Sequence, residues 1–132
     1  MTRREERRAA LDVLFEADAT GRAPVEVMEE WTGLGQQIPG FAHELVAGVQ
    51  GHFDELDARI GAAAEGWTVP RMAAVDRAIL RLATYEVLHR PDVPVAAAID
   101  EAVELAKELS TEDSSRFVNG VLGKIARDSA AG

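Results

Sequence analysis

Cysteine is missing from this chain of 132 residues. That excludes disulfides and thiolate metal sites and fits a reducing compartment. Long hydrophobic runs are missing as well: the longest is Val95 to Ile99, far too short to span a bilayer. The basic start is not followed by an apolar stretch, because Asp12, Glu16 and Asp18 interrupt it, so no secretory leader is expected. Histidine is sparse. His43 and His52 lie nine apart, which does not give the same-face pairing of an i, i+4 metal site, and with His89 they are expected at the surface. Gly33-Leu34-Gly35 lacks the third glycine and the preceding strand of a dinucleotide loop. No serine is set beside a histidine as a nucleophile would be. No active site, metal or cofactor is expected, and the chain is read as a soluble cytoplasmic protein that is not an enzyme.

What is present is charge, unevenly spread. The net charge is −9, yet the first eight residues hold Arg3, Arg4, Arg7 and Arg8 against Glu5 and Glu6, so they carry +2 and the other 124 residues carry −11. An acidic body repels nucleic acid over most of its surface and confines any phosphate contact to the basic end. A solvated, frayed helix start is the alternative reading of the same run.

Apolar spacing is helical nearly throughout, and no alternating strand pattern stands out. Thr2 is placed as the N-cap of a helix from about Arg3 to Thr20, stopped by Gly21. A short helix spans Pro24 to Trp31, and Gly33 to Gly40 reads as a loop. A third helix is expected over about Phe41 to Ile60, with Leu45, Val49, Leu56 and Ile60 on one face. Gly61 to Gly66 suits a joint between subdomains, near residues 61–67. Thr68 is positioned to cap the next helix, which ends at His89-Arg90-Pro91. Pro94 opens another, and Ser110 with Asp113 makes an acidic capping box for the last. The expectation is an all-α fold: one compact domain over residues 1–132, built from two packed small helical bundles with six or seven helices.

Five blocks then stand in a telling order: Arg3-Arg4-x-x-Arg7-x-x-Ala10-Leu11, Asp76-Arg77-x-Ile79-Leu80-Arg81-x-Ala83-x-Tyr85-Glu86, Val93-Pro94, Glu101-Ala102-x-Glu104-Leu105-Ala106-Lys107, and Phe117-Val118-Asn119-Gly120-Val121-Leu122. Together they resemble the NusB family of bacterial transcription antitermination factors, over essentially the whole chain and most specifically in its second half. The resemblance implies binding to the boxA element of ribosomal RNA transcripts together with NusE, a ribosomal small-subunit protein, within the antitermination complex of RNA polymerase. It implies RNA contacts from Arg3, Arg4, Arg7 and Arg8 at one end and from Asp113, Ser114, Arg116 and Phe117 at the other. It also implies a NusE face at Phe15, Asp76 and Glu86; some relatives self-associate through surfaces that overlap this face, so monomer and homodimer both stay open. Asp12 stands where relatives often carry glutamine.

Arginine forks suit phosphates and base faces, and an exposed Phe117 ring beside Arg116 could stack on a base. Pattern alone favours core packing of Phe117 beside Val118 and Val121; the resemblance reverses that. Removing the arm arginines is expected to leave stability almost unchanged. Two other readings stay open: a NusB-like regulatory module of the kind found at the N-terminus of RNA methyltransferases, and a protein-interaction bundle without RNA contact.

Overall fold

The computed structural model describes residues 1–131, and among these there are seven α-helices and no strand. They are α1 (Arg3–Thr20), α2 (Pro24–Gly33), α3 (Gly40–Gly51), α4 (Phe53–Ala63), α5 (Ala74–His89), α6 (Val95–Leu109) and α7 (Glu112–Ala131), with one 3₁₀ turn at Val69–Arg71. None is long and apolar enough to cross a membrane.

Helix α1 starts on a capping box. The Thr2 hydroxyl accepts from the Glu5 amide at 3.1 Å, and the Glu5 carboxylate accepts from the Thr2 amide at 3.3 Å. It stops at Gly21, whose φ of 68° is the left-handed conformation glycine adopts without strain. Helices α1, α2 and α3 pack on one another; α4, α6 and α7 pack around α5, which also touches α1 and α3. Every residue of α5 from Ala78 to Glu86 is buried. A helix enclosed on all sides is expected to be apolar all round, so its charged positions need partners, and they have them.

The continuous helix expected over residues 41–60 is two helices. His52 leaves helical geometry at φ −121° and separates α3 from α4. Leu45, Val49, Leu56 and Ile60 are nonetheless all fully buried, because the seven-residue step across the break keeps them in phase. The periodicity therefore could not reveal it. Helix α4 packs on α5 and α7. Tyr85 of α5 crosses α3 at Gly48, where a Cβ would stand 2.0 Å from the ring carbon Cζ, so only glycine admits this approach.

Two expected caps are displaced. Thr68 makes no capping bond. The Arg77 guanidinium ties down this turn instead, donating to the carbonyls of Val69 (3.2 Å) and Met72 (3.0 Å) and to Asp18. At α7 the capping hydroxyl belongs to Thr111, which accepts from the Ser114 amide at 3.0 Å, one residue later than the Ser110–Asp113 box would place it.

Candidate nucleic-acid interface

The start of α7 is held against the start of α5 by hydroxyls. The Ser114 Oγ donates to Asp76 Oδ2 at 2.9 Å and accepts from the hydroxyls of Ser110 (2.9 Å) and Thr111 (3.1 Å). Asp76 is buried, and its other oxygen, Oδ1, meets no donor among the described residues. Above this contact lies a groove of about 370 Å³ lined by Trp67, Met72, Asp76, Asp113, Ser114 and Phe117. Phe117 is half-buried at its edge, with the Trp67 ring 6.3 Å away and tilted by 66°. Trp67 is 53% exposed. Asp113 and Arg116 pair at 2.7 Å, both in solvent.

A second, smaller groove is lined by Arg8, Leu11, Asp12, Phe15, Val75 and Leu109. Val75 and Asp76 are neighbours on α5, so the two grooves adjoin across the start of that helix. Phe15, 40% exposed, stands in the second.

The arginines at the start of α1 are not bare cations. Arg4 forms a two-pronged pair with Glu101 of α6, both bonds at 2.9 Å. That bond, more than any other influence, holds the Glu101 carboxyl below its usual range. Arg8 pairs with Asp12 at 3.2 Å and approaches Glu108 at 3.6 Å. Arg3 stacks over the Phe41 ring at 4.0 Å and meets Asp92 at 3.5 Å.

Arg7 departs from the others and corrects the picture of a uniform basic arm. It is only 6% exposed and donates from Nε and Nη2 to Glu86, itself 2% exposed, at 2.8–3.0 Å. An arginine at this register of α1 faces the core, where it closes the α1–α5 contact. Neither Arg7 nor Glu86 offers a surface to RNA or to a partner in this conformation, and Asp76 is spent on Ser114. Of the expected NusE face, Phe15 alone is exposed. From the sequence, removing the arm arginines is expected to leave stability almost unchanged; the burial of Arg7 against Glu86 gives the opposite expectation for that residue.

The family model for the NusB family matches residues 4–127. The chain belongs to the NusB family. It is 52% identical to the transcription antitermination protein NusB of Salinispora arenicola, over 94% of each chain. Among solved structures it resembles Thermotoga maritima NusB at a TM-score of 0.88 and 34% identity, covering 98% of this chain and 94% of that one. It also resembles a structure of the antitermination factors NusB and NusE in complex with double-stranded RNA, at a TM-score of 0.82 and 27% identity over 97% and 99%. NusB proteins are non-enzymatic antitermination factors.

Within this NusB fold, the densest motif turns out to be a packing signature. Its charges serve the interior: Asp76 to Ser114, Arg77 to Asp18 and the loop carbonyls, Arg81 to Asp57 (2.8 and 2.9 Å) and Asp18, and Glu86 to Arg7. Burial works to raise the Asp18 carboxyl, but the hydrogen bonds and charges of Arg77 and Arg81 outweigh it and hold it below its ordinary value. Sequence reasoning missed Trp67, which directly follows Gly66, and the acidic face of α6. A sign was present in the latter: Glu101, Glu104 and Glu108 recur at three and four, the spacing of one helix face.

Proposed function

We propose that this NusB-family chain binds boxA-type RNA of ribosomal RNA transcripts together with NusE, in the cytoplasm, as part of the antitermination complex of RNA polymerase. The observation that carries the reading is the groove at the start of α7. Two aromatic rings, Trp67 and Phe117, stand edge to face beside the first turn of a helix. Rings in this position stack under splayed bases, and helix-start amides favour phosphate. Asp113 and Ser114 offer acceptor and hydroxyl groups at the same rim. Arg116, Arg8, Arg4 and Arg3 supply forks for the backbone, exchanging carboxylate partners for phosphates. Arg7 is left out of this set. Phe15 is the anchor for NusE, and a homodimer would compete for the same patch.

Support comes from the family's antitermination role and from the likeness to a NusB–NusE structure that holds RNA. The test is a titration of labelled boxA RNA by fluorescence anisotropy, with and without NusE, against a scrambled RNA of equal length. Tighter binding of boxA when NusE is present is expected. Equal affinity for both RNAs would reject base readout, and no binding even with NusE would leave a protein-interaction bundle.

A further inference from the structure

The α3–α4 break has a consequence at the surface far from the aromatic groove. It puts His52 outside both helices, one turn before Glu55 on α4, and α5 ends beside it with His89. The two imidazoles lie 3.9 Å apart, centroid to centroid, nearly parallel at 19°. One carboxylate oxygen serves both: Glu55 Oε1 is 2.5 Å from His89 Nε2 and 3.4 Å from His52 Nδ1. Beneath them is Tyr85, its ring 5.9 Å from His52 and 5.7 Å from His89, fixed in turn by its approach to Gly48.

We propose that His52, Glu55 and His89 form a binding site for one divalent transition-metal ion, best suited to Zn²⁺, which joins the α3–α4 break to the end of α5.

Two imidazoles and one carboxylate are the borderline donors that Zn²⁺ takes, leaving a fourth position for water. The three ligand atoms already lie within 4.8 Å of one another. In a tetrahedral site with bonds near 2.05 Å, ligand atoms stand about 3.3 Å apart. The His52–Glu55 separation has that value. The Glu55–His89 hydrogen bond must open by less than 1 Å, and the rings must leave their stack so that both in-plane lone pairs converge. Both histidine side chains are part-exposed, so their terminal torsions can make this adjustment without moving the helices. Arg59, one turn beyond Glu55, opposes the ion's charge, while the net charge of −9 favours a cation overall. A bound ion would replace the Glu55–His89 hydrogen bond by three coordinate bonds, two from His52 and Glu55 at the start of α4 and one from His89 at the end of α5.

The test uses the full chain without a polyhistidine tag, freed of metal by chelation and titrated with ZnCl₂ by calorimetry. Co²⁺ serves as a visible-absorption probe of tetrahedral geometry. One ion per chain is expected, with His52→Ala and His89→Ala each weakening binding roughly 100-fold or more. His43→Ala, on α3 but outside the cluster, should bind as wild type. In imidazole NMR spectra Zn²⁺ should move the signals of His52 and His89 and leave those of His43 in place. Absence of one-to-one binding, or binding that survives both alanine variants, overturns the site. Should either alanine variant fail to fold, Glu55→Gln together with the wild-type NMR titration gives the same decision.

Discussion

Arg7 and Glu86 share a contact from which water is excluded, so truncating one strands the charge of the other. Arg7→Ala should lower folding stability by about 3–5 kcal/mol, read as a fall in the urea midpoint. Arg3→Ala, whose partner Asp92 is half in solvent, should move the midpoint little. Equal midpoints for the two variants would contradict the burial described above. Phe117 poses the opposite question, because the structure gives it neither of the two fates weighed from sequence. Its ring is half-buried, packed on the core on one side and facing Trp67 on the other. Phe117→Ala should therefore cost RNA binding about 1–3 kcal/mol and folding stability less than the roughly 3–5 kcal/mol of a fully buried ring. Anisotropy and urea denaturation on one preparation separate the two losses. A full-sized stability loss with unaltered affinity would place Phe117 wholly in the core.

At the level of elements, α6 acts as a carboxylate screen for α1. Glu101 occupies both prongs of Arg4, and Glu108 approaches Arg8. Glu101→Gln should free the Arg4 fork, raise affinity for boxA RNA and steepen its salt dependence by up to about 0.7 log units per log unit of salt, the share of one single-strand phosphate. An unchanged slope would mean that Arg4 does not reach the backbone. For α7, Val121 is 4% exposed, so Val121→Asp should destabilise the fold strongly by burying an unpaired charge, visible as loss of helical dichroism at a lower temperature. Helices of this kind were legible because apolar spacing reports the face that packs. The first helix came out to the residue, since Thr2 and Gly21 are local signals at its ends. The break at His52 was invisible, because a seven-residue step conceals it. The capping role of Arg77 was invisible for another reason: its acceptors are backbone carbonyls, which have no side-chain signature. In the candidate interface Asp113, Ser114 and Phe117 do converge in one groove. Arg7 went astray because charge in a run says nothing of which residue faces inward.

Across the whole molecule, acid is the condition that tests the ion-pair framework. Asp18, Asp92 and Glu101 are all held below their ordinary values, Asp18 against the effect of burial and the other two chiefly by hydrogen bonds from Arg90 and Arg4. Groups depressed on folding contribute stability that is complete above their unfolded values, near 4, and lost as pH falls through the folded ones. The thermal midpoint should thus hold between pH 7 and about 5 and drop below about pH 4, with Asp18→Asn showing a shallower drop. An acid limb identical in wild type and Asp18→Asn would exclude Asp18 from that framework. The pairings that join the two ends of the chain also order events in time. Arg7 meets Glu86 79 residues further along, and Arg4 meets Glu101 after 97. At roughly 5–20 residues per second, the arginines of a nascent chain precede Glu86 by about 4–16 s. During translation Arg7 and Arg4 therefore wait for Glu86 and Glu101, and the contacts of α1 with α5 and α6 close only when those helices have left the ribosome.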